Sequence, residues 1–281
     1  MPSQGDGHPR VLPVTLIFDL LQLLALVLLV LVASSAMLSR RVHRMRTWYS
    51  FLLSWIIYTI AFLLLPFKSP DFEPDRATCL FQASMIYATP PTASWAGLCF
   101  VIEAYSRIRL VLGVSELRPW QSMTLLIVPL FVMAGVVAEV YLLGMNNIPA
   151  IRMEPTFLYC HLDLPQPAII SAALCSVSMA GCIVMFAIIA MMAFRNWEEV
   201  KANSMDSNSP NVTPSVMIRI WAFIMFPMIA MGVTLSFPSP SESAGKWNLL
   251  LPLMPLSAAL IFGTQRDIIS SLSSLMCCKR S

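Results

Sequence analysis

Seven apolar runs, each long enough to cross a lipid bilayer, dominate the sequence. They lie at about 13 to 38, 47 to 67, 79 to 106, 119 to 143, 167 to 194, 215 to 237 and 247 to 264. A helix needs about 20 apolar residues to cross the hydrocarbon, and Pro, Gly or charged residues bound each run. Only 12% of the 281 residues are charged, too few for the surface of a soluble domain. We therefore expect an all-α membrane protein, a bundle of seven transmembrane helices over residues 13 to 264, with no second domain.

Lysine and arginine predict the orientation of this bundle, because cytoplasmic segments accumulate these residues. Of the 18 in the chain, 13 lie in the segments after spans one, three and five and in the C-terminal tail. The opposite segments hold Arg10, Lys68, Arg76, Arg152 and Lys246. We expect residues 1 to 12 to be a short extracellular tail and the C-terminus to be cytoplasmic.

The segment after the seventh run, residues 265 to 281, is expected to form a short amphipathic eighth helix and a tail. Two adjacent cysteines, Cys277 and Cys278, follow the amphipathic stretch and precede Lys279 and Arg280. Juxtamembrane cysteines in this setting are candidates for palmitoylation. An unmodified tail is the alternative.

Two other cysteines, Cys79 and Cys160, fall on the predicted outer side. Cys79 opens the third span, and Cys160 lies between the fourth and fifth spans. That compartment is oxidising, so a disulfide would persist there. No other cysteine lies on this side, so if either forms a disulfide we expect it to pair with the other.

Ionisable residues within the spans are few: Asp19, Glu103 and Glu139. They are costly in lipid and mark functional positions by default. All three histidines lie in tails or loops, so no intramembrane histidine cluster can hold a metal, and the seventh run has no lysine for a retinal Schiff base. We expect no enzymatic activity, no cofactor and no binding of nucleic acid.

Several prolines lie inside the predicted spans, among them Pro90, Pro91, Pro227 and Pro255. A proline in a membrane helix kinks the axis and frees a carbonyl that neighbouring groups must satisfy. We expect kinks at these four positions. The alternative is that membrane helices simply tolerate them.

Three segments resemble motifs of G-protein-coupled receptors (GPCRs). Glu103-Ala104-Tyr105 falls where rhodopsin-like receptors place Asp/Glu-Arg-Tyr, with Ala104 instead of the arginine; Arg107, one turn beyond, is a candidate to take its place. The run from Trp221 to Pro227 is similar to the aromatic approach to the receptor helix-six proline, and Pro255 matches the proline of the helix-seven element.

Other segments are more similar to the orphan seven-transmembrane receptor-like proteins of mushroom-forming fungi. They run from Cys79 to Pro91, from Tyr159 to His161 and from Ile261 to Ile268. The similarity spans most of the chain and implies a fold more firmly than a function.

The resemblance implies a signalling receptor, with an outer pocket for an unknown extracellular ligand and a cytoplasmic surface for a heterotrimeric G protein. The candidate ligand-binding residues are Gln82, Tyr87, Asn248, Asp19 and Glu139. We expect a multi-pass protein of the plasma membrane whose basic inner face meets membrane lipids. The alternatives are a small-solute transporter or channel and a non-enzymatic membrane scaffold.

Overall fold

The computed structural model describes residues 11–38, 44–65, 74–111, 118–154, 158–195, 249–265 and 268. Its α-helices are α1 (Val11–Leu38), α2 (Arg46–Leu63), α3 (Arg76–Val111), α4 (Pro119–Asn146), α5 (Pro165–Arg195) and α6 (Leu250–Gly263). A short 3₁₀ turn (Ile148–Ala150) and the strands β1 (Ile151–Met153) and β2 (Cys160–Leu162) lie between α4 and α5. The predicted sixth span, 215 to 237, lies outside the described residues, as does nearly all of the predicted eighth helix.

Four of these helices, α1, α3, α4 and α5, are long and apolar enough to cross a membrane, and α6 is a shorter apolar helix. Large apolar side chains such as Leu16, Leu20, Leu23 and Val27 on α1 are nearly half exposed. Apolar surface on this scale suits lipid rather than water. The chain is a mostly helical, multi-pass membrane protein.

Helix α3 lies at the centre of the bundle, packed against α2, α4 and α5, while α1 packs on α2 and α6. Glycine allows the closest approach of two helix pairs. A Cβ atom on Gly144 of α4 would overlap the Leu80 side chain of α3, and one on Gly263 of α6 would lie 2.8 Å from Val32 Cγ2 of α1. Small residues at such positions let membrane helices pack backbone to backbone.

Five aromatic side chains of α2 face the core and form a continuous column along it. They recur every three or four residues, which places them on one helical face: Trp48, Phe51, Trp55, Tyr58 and Phe62. Neighbouring rings of this aromatic column touch from Phe51 to Phe62, with centroids 5.0 to 6.3 Å apart. Rings from α3 and α6 pack on the same column, so it joins three helices.

Two features differ from the sequence-based expectation. Helix α3 is longer at both ends than the predicted 79 to 106; it begins after Asp75, whose carboxylate accepts the Ala77 N–H at 3.3 Å. The loop between α4 and α5 contains the antiparallel pair β1 and β2, in which Arg152 is opposite His161. An entirely helical chain was expected, so this hairpin is a correction.

Candidate functional site

A disulfide joins Cys79, in the first turn of α3, to Cys160 in β2, with Cα atoms 5.3 Å apart. The predicted pairing is confirmed. Because the bond crosses 81 residues of sequence, it holds the β1–β2 hairpin on the end of α3. We refer to this end of the bundle as the disulfide end.

Gln82 lies one turn beyond the disulfide and is fully buried. Its side-chain nitrogen donates to the carbonyls of Ala61 (3.3 Å) and Phe62 (3.5 Å) at the end of α2, and its oxygen accepts the Cys160 N–H at 3.1 Å. One amide therefore links α2, α3 and the hairpin. Gln82 was predicted to bind a ligand; in the structure, protein backbone groups occupy both ends of its amide.

Three tyrosines from different elements gather beneath the hairpin: Tyr58 of α2, Tyr87 of α3 and Tyr159 beside β2. Tyr159 and Cys175 lie near Tyr58, and Tyr87 lies near Tyr159. The Tyr159 ring also packs edge-on against Phe62, 5.6 Å away. These three residues are called the tyrosine cluster below.

The phenols of the tyrosine cluster are hydrogen-bonding groups without charge. Tyr87 donates to the Leu162 carbonyl at 3.4 Å and Tyr58 to the Leu251 carbonyl of α6 at 3.3 Å. Burial, followed by the negative charge of Glu154 and by Tyr87, raises the pKa of Tyr159 above its ordinary value. The Tyr159 phenol therefore stays neutral over the physiological pH range.

At the opposite end of α3, Glu103 is buried and bound to two other side chains. The Thr47 hydroxyl of α2 donates to its Oε2 atom at 2.6 Å, and Arg107 Nη2 lies 3.8 Å from its Oε1 atom. Ala104 is buried beside it, and the Arg109 guanidinium lies 5.8 Å from the Tyr105 ring centre. We call Thr47, Glu103 and Arg107 the carboxylate lock.

Cys79 and Glu103 are 24 residues apart on one continuous helix, which is about 36 Å along its axis. That length exceeds the hydrocarbon thickness of about 30 Å. The aromatic column covers the same span, because its first ring, Trp48, follows Thr47 and its last, Phe62, touches Tyr159. The carboxylate lock and the tyrosine cluster thus lie at opposite ends of the bundle, joined by packed side chains.

The other predicted ligand-binding residues lie on other helices or outside the described residues. Asp19 is buried in α1, whose Phe18 packs on Phe62. Glu139 of α4 has both carboxylate oxygens shielded from solvent and without a hydrogen-bond partner among the described residues. Asn248 lies outside the described residues, as do Pro227 and the lipidation candidates Cys277 and Cys278.

Several residues of the site were not predicted: Thr47, Tyr58, Tyr159 and Ser171. Hydroxyl-bearing residues in apolar runs are common, and nothing in their local pattern separates a donor to another helix from one that bonds to its own backbone. One signal was available. A carboxylate near a span end, such as Glu103, requires a donor, and Thr47 opens the adjacent span.

No protein family model matches the sequence, and no curated protein does. Among solved structures, a crystal structure of squid rhodopsin matches with a TM-score of 0.69 at 12% sequence identity, and the match covers 96% of this chain and 87% of that one. The chain has a GPCR-like fold. At this identity the likeness establishes the fold alone.

The GPCR-like fold confirms the architecture that the motif resemblance implied, in its coarse form. Within the described residues, no group of three His, Cys, Asp or Glu side chains is placed to hold a metal ion. The closer similarity to receptor-like proteins of mushroom-forming fungi is not tested by this match and stays a prediction.

Proposed function

We propose that the protein is a signalling receptor that senses a ligand at the disulfide end and couples to a heterotrimeric G protein at the other. The carboxylate lock carries this proposal. By its motif, Glu103 resembles the acidic switch residue of rhodopsin-like receptors, and it is buried and bound to Thr47 and Arg107. A charge held this way favours one of two bundle conformations, which is what a switch requires.

The lock differs from the receptor motif in the place of its arginine. The position after the acid is Ala104, and the guanidinium comes from Arg107, one helical turn further along the same face. Arg107 is 56% exposed, so its attraction to Glu103 is weakened by solvent. Among the described residues, the shorter contact, to Thr47, makes α2 the main partner of Glu103.

The proposed topology has seven spans, with the disulfide end outside the cell and the carboxylate lock at the cytoplasmic surface of the plasma membrane. The disulfide supports this orientation, because such bonds persist outside the cytosol. Arg46, Arg107, Arg109 and Arg118 at the other end support it too, since cytoplasmic surfaces accumulate positive charge and bind anionic lipids. Palmitoylation of Cys277 and Cys278 would add a second membrane attachment.

The proposed ligand is an uncharged molecule with hydrogen-bonding groups. The side chains gathered beneath the hairpin are phenols, a thiol and a serine hydroxyl, which would match polar atoms of a ligand. Of the carboxylates near these tyrosines, Glu154 lies near Tyr159 and Asp163, which pairs with Arg152, lies near Tyr87. Tyr87 is the predicted ligand-binding residue that lies in this cluster. Gln82, Asn248, Asp19 and Glu139 remain further candidates.

The proposal is tested with purified protein in lipid nanodiscs and a panel of Gα subunits, by measuring nucleotide exchange on Gα with a set of uncharged ligands. Exchange faster than in empty nanodiscs supports the proposal. Failure to accelerate exchange on any Gα class, by protein with an intact disulfide, contradicts it.

A small-solute transporter or channel is the second candidate, and Glu139 is the observation in its favour. Ionisable residues within membrane spans mark ion pathways, and Glu139 has no hydrogen-bond partner among the described residues. Solute or proton flux into vesicles, abolished by Glu139→Gln and preserved by Thr47→Val, would support transport. Equal flux in vesicles with and without the protein would exclude it.

A further inference from the structure

Prolines interrupt the hydrogen bonding of α3 and α6, two helices that contact the tyrosine cluster. Pro90 and Pro91 in α3 and Pro255 in α6 have no N–H, so the carbonyl four residues earlier loses its helical donor. Pro91 and Pro255 free the carbonyls of Tyr87 and Leu251, and Pro90 frees that of Ile86. In a membrane an unpaired carbonyl is costly, because no water replaces the missing donor.

For the Tyr87 and Leu251 carbonyls, a hydroxyl from another helix supplies the missing hydrogen bond. Ser171 of α5 donates to the Tyr87 carbonyl at 2.9 Å, and Tyr58 of α2 donates to the Leu251 carbonyl at 3.3 Å. Most hydroxyls in the described helices bond to their own backbone three or four residues back, as Ser54 and Thr59 do. Ser171 and Tyr58 instead reach the carbonyl that a proline has freed.

We propose that Tyr58 and Ser171 are capping hydroxyls that hold two proline hinges in a fixed geometry, one in α6 and one in α3. While the cap is made, the freed carbonyl is tied to a neighbouring helix and the hinge cannot bend independently. When the cap is broken, the segment beyond the proline is held by one hydrogen bond fewer. Helix bends at proline are the expected site of such motion.

Both caps connect to the disulfide-pinned hairpin. The Tyr58 and Tyr159 rings both pack on the Phe62 ring. Tyr87, whose carbonyl accepts the hydrogen bond from Ser171, donates its own hydroxyl to the Leu162 carbonyl of β2. A hydrogen-bond acceptor that enters the tyrosine cluster would compete with the Leu251 carbonyl for the Tyr58 proton. Release by a ligand rests on the proposed receptor function, whereas the capping itself does not.

Tyr58→Phe removes the cap. Pro255→Ala returns the N–H at position 255, so that the Leu251 carbonyl accepts a hydrogen bond within α6. If Tyr58 caps the freed carbonyl, Tyr58→Phe changes the position of α6 strongly when Pro255 is present and little in the Pro255→Ala variant. A hydroxyl that acts elsewhere would have the same effect in both backgrounds. The double-mutant cycle separates these cases.

Disulfide formation between Val32→Cys in α1 and Gly263→Cys in α6 measures the position of the far end of α6. A Cβ atom at position 263 lies beside the Val32 side chain, and it is eight residues beyond Pro255, about 12 Å along the helix. Cys277 and Cys278 are replaced by Ser in all variants. We expect Tyr58→Phe to slow this cross-linking about threefold to tenfold, the change typical for loss of one interhelical hydrogen bond in a membrane.

Tyr49→Phe, at the other end of α2, is the matched control and should leave the rate unchanged. An equal slowing by Tyr58→Phe in both backgrounds, or no slowing in either, would overturn the proposal. If the Tyr58→Phe protein does not fold, a second change, Pro255→Ala, that restores folding supports the proposal. Failure of Tyr58→Phe to fold both with Pro255 and with Pro255→Ala contradicts it. These outcomes do not depend on any ligand or G protein, so they are independent of the receptor test.

Discussion

Replacement of Thr47 by Val tests the carboxylate lock with a change of almost no volume. Thr47 donates to Glu103 at 2.6 Å, and the Glu103 side chain is only 5% exposed. The carboxylate cannot replace this donor with bulk water. Its other partner, Arg107, is 3.8 Å away and largely exposed, so it compensates little.

The hydrogen bond to a charged group contributes about 1.5 to 3 kcal/mol. We expect Thr47→Val to lower the free energy of unfolding by this amount, which corresponds to about 3 to 6 °C in the unfolding midpoint at about 2 °C per kcal/mol. In a Glu103→Gln background the same change should cost only about 0.5 to 1.5 kcal/mol, because the bond is then neutral.

Thermal unfolding in detergent can be followed with a thiol-reactive fluorophore, which labels the buried Cys99 and Cys182 as they become exposed. Thr59→Val is the matched control. Thr59 is also buried on α2, but its hydroxyl bonds to Ile56 of its own helix at 2.8 Å. Thr47→Val and Thr59→Val that lower the free energy of unfolding equally would refute the assigned role of Thr47. So would a Thr47→Val effect of the same size with and without the Glu103 charge.

Two further predictions concern packing and the disulfide. Gly144→Ala should destabilise the fold by about 1 to 3 kcal/mol because the added methyl overlaps the Leu80 side chain. Gly135→Ala, with nothing within 4 Å of the added carbon, should be neutral or slightly stabilising. Thermal unfolding of both variants checks this, and an equal loss of stability in the two would contradict it. Cys79→Ser should cost about 2 to 5 kcal/mol and leave Cys160 open to alkylation, and mass spectrometry of the non-reduced wild type should find neither cysteine alkylated.

The sequence predicted the parts of the fold that depend on composition and local pattern. Long apolar runs bounded by Pro, Gly and charge correspond to α1, α3, α4 and α5, because burial in lipid leaves no other secondary structure available. The disulfide was predictable as well, since Cys79 and Cys160 are the two cysteines on the predicted outer side. Neither inference required knowledge of tertiary contacts.

The hairpin and the site's hydrogen bonds were not predictable in the same way. Strands β1 and β2 have three residues each, too few for an alternating pattern to appear. The contact between Thr47 and Glu103 crosses 56 residues of sequence, and only the packing of α2 on α3 creates it. Gln82 shows the converse: a glutamine in an apolar span suggested a ligand site, yet the structure uses it to join three elements.

The proline carbonyls show how far physical reasoning from the sequence can reach. The rule that a membrane proline frees a carbonyl predicts that Tyr87 and Leu251 each need a donor. The donors themselves come from α5 and α2, and their identity follows only from the three-dimensional arrangement. Tyr58, the donor from α2, belongs to the chain of touching rings that runs from Phe51 to Phe62.

The central claim is that this bundle transmits a signal from the disulfide end to a G protein, and nucleotide exchange on Gα tests it most directly. We predict that the wild-type protein in nanodiscs accelerates exchange on at least one Gα class, and that Thr47→Val, by loosening the lock, raises the ligand-independent rate. Folded wild-type protein that leaves exchange on every Gα class at the rate of empty nanodiscs, with and without ligands, would contradict the account.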